Sequence, residues 1–289
     1  MNLKKTLSAL LASLMLVLPL TACGGEKAPV ETPPDPLVAA EENLKTVENM
    51  QAEVKMDMNM LVNGESVETK TTMDMTYFIE PFRMMMEMNS SYAGESVNMT
   101  FYAEMLEDKL AIYYDDAEYW YLSYGEEGDI EQYDYRPDLE EAGYSYTADG
   151  TEEVDGVTLY KYTCEVTGDA MKEQLSNSGA LDSLATLGLS EDGIVGLFDS
   201  LSGQSITATM WISEATMLPV RYEVDMTDAM NALMKAIVES IATGAGITVE
   251  ELDLDMGVTK LVLKAKYFNY NSAEDFEIPA EAKALSEQE

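Results

Sequence analysis

The sequence predicts an α+β protein in which one large, curved antiparallel sheet wraps over a few helices. Apolar residues alternate with polar ones through about ten segments, which is typical of strands with one buried face. Most of these segments follow one another across short turns, so neighbouring strands should run antiparallel. Three further stretches carry apolar residues at helical spacing, and their stripes would cover the apolar face of the sheet.

The first predicted element is an amphipathic helix. Asp35 is a candidate N-cap, and Pro36 stands at the first helical position, where its missing N–H costs nothing. The apolar residues that follow recur at helical spacing and predict a helix that ends near Met50. These residues are Leu37, Ala40, Leu44, Val47 and Met50.

Beyond the helix the period changes to two, and a series of strands begins. Asn63-Gly64 stands between two alternating segments and is a strong signal for a tight hairpin turn. The predicted strands run from Ala52 to Met60, from Met73 to Ile79, from Met84 to Met88, from Val97 to Phe101, from Leu110 to Tyr114 and from Tyr119 to Leu122.

The second half of the chain mixes strands with helices. Residues 125–153 are rich in glycine and carboxylates, and we interpret them as a long acidic loop. A strand follows at residues 156–166, and then a helical stretch whose second helix is capped by Ser190. A hairpin over residues 206–226 leads into a helix that begins at Asp228. One last strand carries Leu261 to Tyr267, and a short helical tail follows Ile278-Pro279.

The amino-terminal residues have the features of a secretory signal. Lys4 and Lys5 precede an apolar run that is too short for a membrane span. Residues 20–23 read Leu-Thr-Ala-Cys and resemble the lipobox of bacterial lipoproteins. The resemblance implies that Cys23 is acylated, for example with palmitate, and anchors the mature chain to the plasma membrane. We therefore divide the chain into a signal peptide (1–22), a lipidated cysteine with a proline-rich tether (23–35) and one domain (36–289).

Composition excludes several functions. The 289 residues carry 17 Lys and Arg against 54 Asp and Glu, for a net charge of −37, and no basic patch is apparent along the chain. Nucleic-acid binding is therefore not expected. Histidine is absent, which removes His-dependent catalysis and His-ligated metals. Cys164 has no free cysteine partner once Cys23 is acylated, so we interpret it as a buried structural residue. We predict no enzyme activity, no catalytic residue, no cofactor and no metal site.

The order of elements resembles the LolA/LppX-like lipoproteins, and more closely their Gram-positive relatives. Besides the lipobox, the resemblance rests on the N-terminal helix, the meander, the hairpin around Trp211 and the closing Ile278-Pro279, over roughly residues 36–285. It implies an unclosed half-barrel with helices at its mouth and acyl chains in the cavity between them. It also implies a lipid-anchored protein on the extracytoplasmic face of the membrane, at a Gram-positive cell surface. No ligand-contacting residue can be carried over.

Methionine is the most distinctive candidate for a binding site, because 21 occur and several form dense clusters. On a strand, alternate residues share a face at a spacing of about 7 Å. The clusters suit ordinary core packing, the flexible lining of a hydrophobic ligand cavity, or copper(I) binding. Clean alternation with polar residues favours core packing first, cavity lining second and copper last. The tentative cavity residues are Met56, Met58, Met60, Met73, Met75, Met84, Met86 and Met88.

Two other groups of residues are candidates for a binding function. Tyr119, Trp120 and Tyr121 crowd one hairpin and offer an aromatic surface that could stack on a glycan, although tyrosine is also a favoured strand residue. The acidic loop lacks the spacing of a calcium-binding EF-hand, so a solvated surface is its default interpretation.

Two functional hypotheses follow. The leading one is a membrane-anchored, non-enzymatic lipoprotein that binds a lipid or another hydrophobic ligand between the sheet and its helices. The alternative is an envelope interaction module that binds cell-wall glycan or a protein partner through the tyrosine and tryptophan surface.

Overall fold

The architecture is one sheet of eleven strands with helices packed on both of its faces. A computed structural model describes residues 35–92, 95–107, 109–115, 119–126, 139, 144–170, 200–201, 204–252 and 255–286. The strands are β1 (Asn49–Val62), β2 (Glu65–Phe78), β3 (Arg83–Tyr92), β4 (Glu95–Leu106), β5 (Lys109–Asp115), β6 (Trp120–Glu126), β7 (Tyr144–Val154), β8 (Val157–Thr167), β9 (Ser205–Ser213), β10 (Pro219–Asp225) and β11 (Met256–Phe268). The helices named within these residues are α1 (Pro36–Leu44), α2 (Thr227–Ala245), α3 (Val249–Leu252) and α4 (Ala280–Ser286).

The strands lie in the order β6-β5-β4-β3-β2-β1-β11-β10-β9-β8-β7, and every neighbouring pair is antiparallel. The first six strands form a meander, and β11 returns beside β1 to join it to the second half. Because β6 and β7 lie at opposite edges, the sheet is unclosed. The predicted fold class is confirmed. The turn at Asn63-Gly64 is confirmed as well, since both residues have positive φ, 52° and 79°.

The start of the first helix is as predicted, but its end is not. The Asp35 side chain accepts a hydrogen bond from the Leu37 N–H at 3.0 Å, as an N-cap does. The helix ends at Leu44, and Met50 belongs to β1, so the predicted extension to Met50 is wrong. Met50 fits both the helical period and the strand period of two. Its pairing opposite Tyr77 of β2 places it in the strand.

The acidic loop predicted over residues 125–153 is wrong in its last part, where β7 forms. This strand is an edge strand that pairs only with β8. A bulge between Ala148 and Thr151, with Gly150 at φ 93°, interrupts its alternation. An edge strand tolerates carboxylates because one side of it faces solvent, so composition hid this strand.

Two cores lie on opposite faces of the sheet. We call the face that carries Met50, Met56 and Met75 the inner face. Its side chains form the main buried cluster together with the apolar stripe of α2, which packs against β11. We call the other side the outer face. There, α4 packs on β5 and β6, and Ala282 is buried with Tyr113 in a second, smaller core.

Some predicted features lie outside the described residues: Cys23, most of the acidic loop, and the helix expected after Ser190 except for its last residues, 200–201. In the described part of the chain, no helix is both long and apolar enough to cross a membrane.

Candidate functional site

The eight candidate methionines lie on the inner face of three adjacent strands. The strand registers place Met75 beside Met86 and Met73 beside Met88. Seven of the eight are buried, and Met88 is partly buried against the same cluster. The predicted alternation is therefore confirmed. That these side chains line a ligand cavity stays a prediction.

The inner face is free of charge where the methionines lie. Its positions are the even residues 50–60 of β1, the odd residues 67–77 of β2 and the even residues 84–92 of β3. They hold only Met, Ala, Val, Thr, Ser and Tyr. A wall of this kind can accept apolar atoms without cost, whereas a buried charge would lose its hydration with nothing to compensate it.

An aromatic ladder continues this face to the edge of the sheet. Met86 lies opposite Phe101, Phe101 opposite Tyr114, and Tyr114 opposite Tyr121. The ring centroids are 6.2 Å apart for Phe101 and Tyr114 and 4.9 Å apart for Tyr114 and Tyr121, and both pairs are stacked. Tyr121, the last ring, is 38% exposed. The apolar surface thus runs without interruption from the core to β6.

The structure does not bring Tyr119, Trp120 and Tyr121 onto one surface. Trp120 lies on the outer face, where its ring packs 5.9 Å from that of Tyr102 in the second core. Tyr121 lies on the inner face, and Tyr119 precedes the strand and is 65% exposed. Strand alternation separates Trp120 from Tyr121, and Tyr119 lies outside the strand, so the three residues do not form one aromatic surface.

Burial favours the neutral forms of three titratable groups on the inner face, Cys164, Tyr162 and Tyr267. Burial raises the pKa of the Cys164 thiol to about 11, and the residue is fully buried, as expected for a structural cysteine. Complete burial raises the pKa of Tyr267 well above its usual range. Burial, and then a hydrogen bond from its hydroxyl to Asp35 at 3.0 Å, do the same for Tyr162. These three groups therefore stay neutral at physiological pH.

A cleft of about 640 Å³ lies elsewhere, between α2, α3 and the start of β11. Lys235, Glu239, Glu250 and Asp255 are among its lining residues, so it is charged and does not suit an apolar ligand. None of the eight candidate methionines lines it. Among the described residues, no group of three or more Asp, Glu, Cys or His side chains is placed to hold a metal ion.

Sequence reasoning missed two features of the inner face: the aromatic ladder and a row of hydroxyls at Thr69, Thr71 and Ser90. The signal for the hydroxyls was present, because Thr69 and Thr71 continue the alternation of Met73 and Met75 toward the Asn63-Gly64 turn. The ladder needed the registers of β4, β5 and β6, which no local pattern provides.

Comparisons with known proteins give one partial family match and several structural similarities. Residues 37–129 match the model of the Family of unknown function (DUF6612), which is less than half of the chain. No curated protein sequence matches.

Similar solved structures include two mycobacterial lipoproteins. The Mycobacterium tuberculosis lipoprotein LppX is 12% identical, with a TM-score of 0.43 over 85% of this chain and 100% of that one. LprF of Mycobacterium bovis is 11% identical, with a TM-score of 0.43 over 85% and 95%. A putative outer membrane lipoprotein-sorting protein domain from Vibrio parahaemolyticus is 11% identical, with a TM-score of 0.27 over 86% and 97%. LppX is thus among the similar structures, as the predicted resemblance implies. With TM-scores below 0.5, neither a ligand nor a residue role is carried over.

Proposed function

We propose that this protein is a membrane-anchored, non-enzymatic lipoprotein that binds a lipid or another hydrophobic ligand on its inner face. The observation that carries the proposal is the charge-free inner face of β1, β2 and β3, with eight methionines on three neighbouring strands. A core whose only role is packing is usually built from branched aliphatic side chains with few rotamers. Unbranched thioethers instead adapt to a chain of variable shape.

The dimensions of this wall suit an acyl chain. Neighbouring strands lie about 4.8 Å apart, and alternate residues of one strand lie about 7 Å apart. The rows of Met73 with Met88 and Met75 with Met86 therefore form parallel tracks across β2 and β3. The ladder from Phe101 to Tyr121 extends the second track to the sheet edge and supplies a route by which a ligand enters.

The anchor belongs to the same proposal. Acylated Cys23 holds the domain on the extracytoplasmic face of the plasma membrane, at a Gram-positive cell surface, through the tether that ends at Asp35. The Asp35 carboxylate supports this arrangement, because it caps α1 and also accepts a hydrogen bond from the Tyr162 hydroxyl on the inner face. The domain end of the tether is thereby joined to the sheet.

Methyl NMR on methionine tests the binding site. The full chain with Cys23→Ser, labelled at the methionine methyl groups, is titrated with an uncharged fluorescent alkane after lipid extraction. We expect the Met86 signal to shift and the Met85 signal to stay, because these adjacent residues lie on opposite faces of β3. Assignment uses Met86→Leu and Met85→Leu, which nearly conserve volume.

Failure to bind the probe, or shifts at Met85 alone, would contradict the proposal. The stack of Tyr114 on Tyr121 favours a second function, binding of cell-wall glycan or a protein partner, since the Tyr121 ring is 38% exposed at the sheet edge. Binding of purified cell-wall glycan without any uptake of the alkane would favour this second function.

A further inference from the structure

On β2 and β3, hydroxyl groups replace methionines at one end of the inner face, while β1 continues with Met56 and Met58 in the same rows. Along β2 the inner positions read Thr69, Thr71, Met73 and Met75, and both threonines are buried. Thr71 lies opposite Ser90 of β3, and Thr69 lies opposite Tyr92. On β2 and β3 the wall therefore has an apolar part and a polar end, and neither part carries a charged side chain at inner positions 67–77 and 84–92.

The two threonines differ in their hydrogen bonds. The Thr71 and Ser90 hydroxyl oxygens lie 3.0 Å apart and share a hydrogen bond across the strands. The Thr69 hydroxyl has no hydrogen-bond partner among the residues that the structure describes, although Thr69 is only 7% exposed. A hydroxyl has one proton to donate and two lone pairs to accept with, so a buried one without a partner lowers stability. An incoming oxygen would satisfy it.

We propose that Thr69 receives the polar end of the ligand and that this end is an uncharged oxygen group, an ester or an alcohol, as in an acylglycerol. This inference rests on the proposed function and adds the chemical class of its ligand. In this orientation the acyl chain follows Met73 and Met75, and the ester or alcohol oxygen meets the Thr69 hydroxyl.

Charge decides against a phosphate or carboxylate head group. The inner positions of β1 to β4, at residues 50–60, 67–77, 84–92 and 97–105, include no Lys or Arg to pair with an anion. The charged residue in the same row as Thr69 is Glu95, opposite Tyr92, and it would repel an anion. A buried anion without a partner costs far more than a hydrogen-bonded ester.

Two substitutions on one strand separate a ligand contact from a structural role. Thr69→Val keeps the shape of the side chain and removes the hydroxyl. Thr76→Val is the matched control, because Thr76 is equally buried on β2 but faces the outer side, where its hydroxyl oxygen accepts a hydrogen bond from Gln51 at 3.1 Å. The full chain with Cys23→Ser is titrated with a fluorescent monoacylglycerol and with a lysophosphatidylglycerol of the same chain length.

We expect the parent to bind the monoacylglycerol more tightly than the lysophosphatidylglycerol, and Thr69→Val to weaken monoacylglycerol binding by about tenfold, the loss of one hydrogen bond. Thr69→Val should unfold at an equal or higher urea concentration than the parent, while Thr76→Val should unfold earlier and bind as the parent does. Unchanged monoacylglycerol binding by Thr69→Val, or a preference for the phosphate lipid, overturns this inference alone. If the parent binds neither amphiphile and no alkane, the proposed function fails with it.

Discussion

The two faces of the same three strands differ completely in charge. In one row, the inner face carries Ala52, Met75 and Met86 in neighbouring positions. In the next row, the outer face carries three carboxylates side by side, Glu53, Asp74 and Glu87. Like charges opposite each other destabilise a sheet, but in solvent the cost is a fraction of a kcal/mol, about 0.5. The outer face can therefore carry the carboxylates that keep the protein soluble, while a charge among the buried inner positions of β1, β2 and β3 would be unfavourable.

Lysine and arginine side chains lie close together on the outer face of β1, β10 and β11. Lys55 lies opposite Lys264, and Arg221 lies opposite Lys266. Glu223 bridges Arg221 at 3.0 Å and Lys264 at 2.9 Å, and Glu53 lies 2.8 Å from Lys55. These cations are not adjacent in the sequence, because they come from β1, β10 and β11. On this part of the outer face the carboxylates are paired with cations, whereas Glu53, Asp74 and Glu87 lie side by side across β1, β2 and β3.

Introducing one charge on the inner face should have the largest effect. Met75→Lys places an ammonium among Ala52 and Met86, and we expect a loss of about 4 kcal/mol of unfolding free energy. Urea unfolding followed by circular dichroism measures this loss. Lysine can reach solvent with its flexible stem, so a loss below about 1 kcal/mol would mean that the inner face opens to water near Met75.

Asp74→Lys is the matched control, one residue along on the outer face. Asp74 is exposed between Glu53 and Glu87, so a lysine there replaces two repulsions with two attractions. We expect unchanged or slightly higher stability, by at most about 1 kcal/mol. Similar losses for the two variants would remove the distinction between the faces.

The faces were predictable from sequence because a strand has a period of two. Asp74 and Met75 were assigned to opposite faces before any partner strand was known, and the turn at Asn63-Gly64 is set by residues that tolerate positive φ. Such features depend on neighbours along the chain. Local chemistry is sufficient for them.

Other features depend on residues far along the chain and could not be predicted. Thr71 is satisfied by Ser90, 19 residues later, and Thr69 is not satisfied, although the two look alike in the sequence. The second core forms because α4 returns to β5 and buries Tyr113 on the outer face. Periodicity assigns one buried face to a strand, so burial on both faces of β5 was hidden.

The pH dependence of stability should also distinguish the faces. The inner-face thiol of Cys164 titrates at about 11 in the folded protein against 9.0 ordinarily, because burial disfavours the thiolate. The buried neutral thiol contributes fully to the unfolding free energy below pH 9. This contribution is lost as the pH rises from 9 to 11, because the unfolded chain ionises first. The stability difference between the parent and Cys164→Ala should therefore shrink by about 2 kcal/mol over this range.

The outer face should respond at the opposite end of the pH scale. Partial burial alone would raise the pKa of Glu223, but hydrogen bonds from Lys264 and Arg221 outweigh it and lower the pKa below 4.5. The stabilising contribution of the Glu223 carboxylate is present above the ordinary carboxyl pKa and is lost as the pH falls through the lowered value.

The Cys164 prediction has a clear contrary outcome. If the difference in unfolding free energy between the parent and Cys164→Ala stays constant from pH 8 to pH 11, water reaches the thiol.

The smallest expected effect concerns Arg83, which lies where the C-terminal segment covers the outer face. The Arg83 guanidinium lies 4.8 Å from the Phe78 ring centre and 5.3 Å from that of Phe276, and it pairs with Asp275 at 2.8 Å. Arg83→Met keeps the stem and removes the cation, so we expect a loss of about 1 kcal/mol from the ring contacts. Hydrogen exchange of the Lys283 amide, which donates to the Pro279 carbonyl, measures how firmly α4 is held.

Exchange at Lys283 should become faster in Arg83→Met, while amides of β1 stay protected, because Arg83 contacts the C-terminal segment and not the inner face. If exchange at Lys283 is unchanged, apolar packing of Ile278 and Ala282 alone holds the segment. The outer face would then follow the same rule as the inner one wherever it is covered. Burial rather than charge would decide stability on both faces, and the charged residues would matter only where the sheet meets water.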